Sequence, residues 1–321
     1  MKTLNFLASA NTSNGFENHF NSIFPNEKSF VYILKGGPGT GKSTFMKKVG
    51  KYYSDKGFDV EYFYCSSDPK SLDGVRIVQK DICIVDGTAP HVTECTIPGA
   101  KEVIVNLGAA IKSGIKENLR EIVPLLAEKK KYFDLAYCYL HAAGKVFEIS
   151  KKQHKLAVNV NIEAQKIFSQ LPLSARNYSE KARQLYLSYF TSTGLKSVEN
   201  NFERTIKLQY SYFDGLAVLK QLAEFSKKSG HDVIQILSPI STSELEGVYF
   251  PTINTYVTLD ENAMKSIADR QILTSLLKKG GKCIERARSC HLQIEKYYIK
   301  NMNFQKIDEM YNDVIAEIDN C

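Results

Sequence analysis

Eight consecutive residues, Gly36-Gly37-Pro38-Gly39-Thr40-Gly41-Lys42-Ser43, carry the spacing G-x-x-x-x-G-K-[ST]. That spacing suits a polyphosphate. Several N–H donors must point at one anion, and only a chain that turns tightly without Cβ clashes wraps so closely, hence glycines at 36, 37, 39 and 41. A helix beginning here would add the unpaired N–H groups and positive dipole end of its first turn. Lys42 is then expected to set its ammonium between the β and γ phosphates, and Ser43 to offer its hydroxyl to Mg2+. Mg2+ and ATP are the implied cofactor and ligand, with Gly37, Pro38, Gly39, Thr40, Gly41, Lys42, Ser43 and Thr44 as the contact set. A glycine-rich turn that binds nothing would have no use for a Lys-Ser pair in this register.

A second metal ligand is expected at Asp86, where the apolar run Ile82-Cys83-Ile84-Val85 ends in an acid 43 residues beyond Ser43. A buried parallel strand closed by a carboxylate can hold the ion from the side opposite Ser43. Many ATPases follow this acid with a glutamate that orients the attacking water, but here the next residue is Gly87. Orienting the nucleophile must then fall to Glu94, His91 or Asp68, or the nucleophile is not water. Asp68 and Asp73 follow a segment rich in β-formers, Asp59–Tyr64, and ligands of open α/β sheets bind beyond the carboxyl ends of strands. Each has a plainer reading: Asp68-Pro69 as a turn, Asp73-Gly74 as a hairpin, and His91 after Pro90 as a packing residue.

These residues need a scaffold, and the flanking patterns supply one. The apolar run Phe30-Val31-Tyr32-Ile33-Leu34 predicts a strand leading into the loop, and Thr44 to Tyr53 predicts an amphipathic helix leading out. Leu4 to Ala8 reads as a short strand, with Thr12 or Ser13 capping a helix that starts at Phe16-Glu17-Asn18-His19-Phe20. From Ala109 to Gln170 the pattern is helical, interrupted only by Pro124 and Gly144, and reads as a helical hairpin. Its aromatic stripe of Tyr132, Phe133, Tyr137, Tyr139 and Phe147 reads as a packing seam, and Leu171-Pro172-Leu173-Ser174 as a boundary.

Composition narrows the class. No apolar run approaches the roughly 20 residues of a membrane span, and Met1 to Phe6 lacks a signal-peptide core, so a cytoplasmic protein without a membrane partner is expected. Seven cysteines without a C-x-x-C pair argue against a disulfide framework, and the histidines lack metal-ligand spacing. The net charge of +7 comes from lysines interleaved with glutamates, as in Glu128-Lys129-Lys130-Lys131, which reads as a solvated helix face rather than a nucleic-acid surface.

The chain also echoes itself. Lys56-Gly57-Phe58-Asp59-Val60 returns as Ser229-Gly230-His231-Asp232-Val233, an offset of 230 − 57 = 173, and Leu72, Gly74 and Val75 meet Leu245, Gly247 and Val248 at the same offset. Thr12-Ser13-Asn14-Gly15 is echoed by Thr191-Ser192-Thr193-Gly194, and Asp260 echoes Asp86. The loop is not repeated: Gly37 to Ser43 become Tyr210-Ser211-Tyr212-Phe213-Asp214-Gly215-Leu216, with an acid where a phosphate would be repelled.

Several of these stretches resemble an uncharacterised bacterial family of tandem P-loop proteins, described as ATPase or nucleotide kinase-like. The resemblance rests on Phe6, Ala10, Thr12, Gly15 and Phe16, on Gly37 to Thr44, on Cys65-Ser66-Ser67-Asp68-Pro69 with Ser71 to Gly74, and on Asp86 to His91 with Pro98-Gly99 and Asn106-Leu107-Gly108. It covers the first 150 residues closely and the rest loosely. In that family both repeats look competent for nucleotide, whereas here the second is degenerate.

The combined reading is an α/β protein of the P-loop NTPase three-layer type with a mostly parallel sheet, duplicated, each copy with a helical appendage. The expected domains are a core over 1–110, a helical hairpin over 111–182, a degenerate repeat over 183–260 and a C-terminal helical appendage over 261–321. The expected function is Mg2+-dependent ATP binding with hydrolysis or phosphoryl transfer. Two alternatives stand beside it: a small-molecule or nucleotide kinase with a small-molecule acceptor, and a non-enzymatic nucleotide-gated regulator of a protein partner.

Overall fold

Strand β1 (Thr3–Phe6) lies at one edge of a six-stranded sheet that organises the first of two units in the computed structural model, which describes residues 2–26, 28–90, 92–173 and 183–320. The other strands are β4 (Phe30–Lys35), β5 (Val60–Tyr64), β6 (Leu72–Ile77), β7 (Ile82–Asp86) and β8 (Glu102–Asn106), in the order β1-β5-β6-β7-β4-β8. Val31 to Leu34 of β4 and Ile82 to Val85 of β7 are all buried, as continuous apolar runs require when both faces of a strand are covered. One face is covered by helix α1 (Lys42–Asp55), whose apolar positions 45, 46, 49 and 53 recur at helical spacing and are buried. Residues from helix α6 (Phe304–Asn320), namely Ile307, Val314 and Ile318, join the same core cluster as Tyr32, Leu34 and Met46.

This first unit comprises residues 1–9, 18–136 and 282–321; the second comprises 10–17 and 137–281. The second unit holds a five-stranded sheet built from β9 (Arg183–Leu185), β12 (Arg204–Leu208), β13 (Ile234–Leu237), β14 (Leu245–Phe250) and β15 (Thr255–Leu259), in the order β12-β15-β14-β13-β9. Helix α4 (Tyr212–Lys228) packs on β14 and β15 and against helix α3 (Val160–Ser169). Helices α2 (Leu119–Gln153) and α5 (Arg270–Lys300) are each continuous across the division between units. Pro124 sits in the second turn of α2, where it removes the bond to the Arg120 carbonyl without ending the helix, and Gly144 is packed close to Ser13.

Both sheets are mixed: in each, a single antiparallel strand interrupts an otherwise parallel set. β6 runs antiparallel to β5 and β7, and β14 antiparallel to β13 and β15, while the remaining pairs are parallel. The short links Cys65–Ser71 and Val78–Asp81 permit this, since antiparallel neighbours need no crossover helix. Asp73-Gly74 accordingly lies within β6 and not in a hairpin turn.

Residues 16–18, expected to open a helix over 16–20, instead belong to strand β3 (Gly15–Asn18), paired with β2 (Ser9–Thr12). Gly15 has φ +106, and the Thr12 hydroxyl accepts the Asn14 N–H at 3.0 Å while donating to the Gly15 carbonyl at 2.8 Å. The hydroxyl therefore closes a turn between strands and does not cap a helix. Strands β10 (Ser188–Thr191) and β11 (Gly194–Ser197) form a second two-stranded hairpin with the same turn: Gly194 has φ +117, and Thr191 donates to its carbonyl at 2.7 Å. The expected boundary at Ser174 and the limit at 182 lie outside the described residues.

Among the described residues no helix is long and apolar enough to cross a membrane. Six cysteines, at 65, 83, 95, 138, 283 and 290, are free thiols.

Candidate functional site

The Gly36–Ser43 segment connects β4 to α1 in the first unit. Gly39 and Gly41 adopt φ of +68 and +93, the left-handed region that a side chain disfavours, and Gly41 is the residue from which α1 springs. The first helical bond runs from Phe45 N–H to the Gly41 carbonyl at 2.8 Å. No side chain caps this helix, and no acid stands in its first turn. Its leading N–H groups and its positive end are thus left without a compensating side chain.

The Lys42 ammonium curls back over the loop, donating to the carbonyls of Gly36 at 2.7 Å and Gly37 at 2.9 Å. Asp86 Oδ2 lies 3.6 Å from the same nitrogen, and both side chains are largely buried. The register explains the meeting, because parallel β4 and β7 pair Leu34 with Asp86 and so bring the ends of the two strands together. Asp86 Oδ1 accepts the Thr88 N–H at 2.9 Å and also the Thr88 hydroxyl. Buried Thr40 donates to the Gly37 carbonyl at 2.9 Å, stiffening the turn around Pro38. The Ser43 hydroxyl accepts the Leu72 N–H at 3.0 Å, tying the start of α1 to the head of β6, whereas Thr44 is exposed.

Glycine at position 87 also has a structural reason. A Cβ there would sit 2.3 Å from Ile33 Cγ2, so no glutamate can follow Asp86 in this packing. Of the three candidates for that role, Glu94 is exposed and ion-paired at 2.7 Å with Lys35, whose ammonium also donates to the carbonyls of Gly87 and Thr93. Asp68 closes the turn before β6, accepting from Ser71 Oγ at 2.8 Å, and is held by Arg288 Nη2 at 2.7 Å. His91 lies outside the described residues. Asp73, buried within β6, accepts from Ser9 Oγ at 3.3 Å.

The sequence reading expected helices over 261–321 but not that they cover this region. A Cβ on Gly37 would approach Tyr298 Cε1 to 2.8 Å, and one on Gly39 would approach the Glu295 carbonyl to 2.9 Å, so α5 packs directly on the loop's glycines. Further along α5, His291 Nδ1 lies 3.0 Å from the Lys129 ammonium of α2, and His291 Nε2 lies 3.5 Å from Glu295. Burial pulls the Lys129 amine below its ordinary range and pushes the nearby Cys65 thiol up. More than 200 residues separate Asp68 from Arg288, and nothing in local pattern announces such a contact.

In the second unit three residues, Gln209 to Ser211, join β12 to α4 where six join β4 to α1. Ser211 caps α4, accepting the Asp214 N–H, and Asp214 occupies the first turn. Burial pushes the Asp214 carboxyl up, but hydrogen bonds from Ser211, the Ala157 N–H and His154 outweigh it and hold the group below the usual carboxylate range. Among the described residues no group of three or more His, Cys, Asp or Glu side chains is gathered to hold a metal.

A family model described as Nephrocystin 3, N-terminal, matches residues 16–83, a span that runs from β3 through the loop and α1 into β7. No curated protein and no solved structure matches the chain.

Proposed function

We propose that the first unit binds a nucleoside triphosphate, as Mg-ATP, at Gly36–Ser43 and turns it over by hydrolysis or phosphoryl transfer. The observation that carries this reading is the arrangement of Lys42: an ammonium at the uncompensated start of a helix, held by two loop carbonyls beside the Asp86 carboxylate. A phosphate would exchange those carbonyl contacts for stronger charge-assisted ones and would meet the free N–H groups of α1. The donor set also suits Mg2+, a hard ion that takes oxygen ligands. Ser43 Oγ spends one lone pair on Leu72, and Asp86 Oδ2 makes only its long contact with Lys42, so these two residues would hold the ion. Bound there, it would neutralise phosphate charge as the leaving oxygen departs.

The same reading takes the two units as tandem copies of a P-loop fold, the second degenerate. Its support is the strand order. Read from β9, the second sheet runs β9-β13-β14-β15-β12, matching β1-β5-β6-β7-β4 of the first, and only β8 lacks a counterpart. Phosphoryl transfer to an acceptor is favoured over hydrolysis by one observation, that position 87 has no room for a water-orienting glutamate.

The test is Mg-ATP binding and turnover by the chain and by Lys42→Ala. Loss of a charge-assisted contact worth roughly 1.5–3 kcal/mol weakens binding by about ten- to a hundredfold. Equal behaviour of the two proteins overturns the reading.

A further inference from the structure

Buried donors without acceptors are uncommon, and one lies beside the Cys65–Ser71 turn, close to a lysine that has no counter-ion among the described residues. Arg288 gives Nη2 to Asp68, yet its Nε is buried with no hydrogen-bond partner. One turn further along α5, His291 meets Lys129 of α2, a half-buried lysine with no carboxylate at ion-pair distance among the described residues. Its ammonium donates to a ring nitrogen, which carries no charge to balance it. An orphaned guanidinium N–H and an unbalanced ammonium each carry a desolvation cost that an anion would remove. Residues three apart on a helix share a face, so Arg288 and the His291–Lys129 pair address the same space. The carboxylates nearby are already engaged, Asp68 with Arg288 and Ser71, and Glu295 with His291.

We infer that Arg288 and Lys129 form an oxyanion subsite that takes the phosphate or carboxylate of a small molecule, distinct from the Gly36–Ser43 loop. None of its donors belongs to that loop, so the subsite goes beyond the nucleotide reading. Should that reading hold, the subsite is where a second, anionic ligand would sit, since Ser71 and Leu72 connect Asp68 to Ser43.

The experiment titrates inorganic phosphate, and separately acetate, into Lys42→Ala, which removes the loop's own cation from the measurement. Arg288→Lys and Lys129→Met are then added singly to that background. Arg288→Lys keeps the charge and the reach to Asp68 but has no Nε, so folding is spared while the orphaned donor is lost; thermal unfolding verifies this. The expected result is a saturable phosphate or acetate site in Lys42→Ala that weakens about tenfold or more in each double variant. Saturation by phosphate alone identifies a phosphate-bearing ligand, and by acetate a carboxylate. No saturable binding of either anion, or affinities unchanged in both double variants, overturns the inference. Because the test uses no nucleotide, its failure and the failure of the nucleotide reading are separate results.

Discussion

The two units start their first long helix in opposite ways. In the first, six residues with left-handed glycines lead to α1, whose opening turn has no cap, no acid and a lysine bent over the loop. In the second, three residues lead to α4, where Ser211 caps the helix and Asp214 neutralises its positive end while accepting from His154 and the Ala157 N–H. One helix start is completed by its own side chains; the other is not. A helix end gains roughly 0.5–2 kcal/mol from a cap and up to about 1 from a first-turn acid, so α1 forgoes stability that α4 collects. That contrast, more than the glycine count, separates the two units.

The largest effect that tests the comparison concerns a pair of acids in matching strands. Asp73 in β6 bonds Ser9, and Glu246 in β14 lies 3.5 Å from Ser238, each one residue ahead of a strand glycine. Burial pushes the Glu246 carboxyl up from 4.5 to about 7. Its contribution is therefore fully present below pH 4.5 and lost as pH rises through about 7. Allowing for partial exposure, Glu246→Gln is expected to gain about 2 kcal/mol relative to wild type between pH 4.5 and pH 8, read by urea unfolding. A mutant-to-wild-type difference that does not move with pH would remove the buried acid from the comparison.

Next in size is Ser211→Ala, expected to cost about 1 kcal/mol of stability as a lost cap while leaving Mg-ATP binding untouched. A fall in nucleotide binding would mean that the second unit is no bystander. Thr44→Asp makes α1 resemble α4 by placing an acid in its first turn. Melting should rise by the equivalent of about 0.3–1 kcal/mol while Mg-ATP binding weakens several-fold, and a gain in both would break the comparison. The smallest effect is at Glu94. An exposed pair of this kind is worth about 0.5 kcal/mol, so Glu94→Gln should leave thermal stability nearly unchanged, and turnover that also stays level strikes it from the orienting role.

Local pattern announced the elements around the loop. The apolar run at 30–34 and the amphipathic stretch at 44–53 appear as β4 and α1, and the Val85-Asp86 strand end lies beside Leu34 as parallel pairing requires. The antiparallel course of β6 was less visible, because Asp73, Gly74 and Arg76 break its apolar pattern and leave Asp73-Gly74 reading as a turn. The polar stretch Thr12 to Gly15, read as the cap of a helix starting at Phe16, is instead a turn between strands, with Gly15 at φ +106. Tyr298, Arg288 and Lys129 were illegible for a different reason. Their roles depend on which chain segments meet, and periodicity within a helix identifies a buried face without naming what buries it.

The first unit is assembled from residues 1–9, 18–136 and 282–321. During synthesis the glycine loop therefore leaves the ribosome long before Tyr298 and Glu295, which pack on it, and before Ile307, Val314 and Ile318, which close its sheet's core. The second unit has its full complement by residue 281 and can finish first. A nascent chain of this protein carries its glycine loop without the α5 and α6 cover until translation has passed residue 318, so a slow or interrupted ribosome would leave the first unit waiting on α6, with its apolar sheet face open to chaperones.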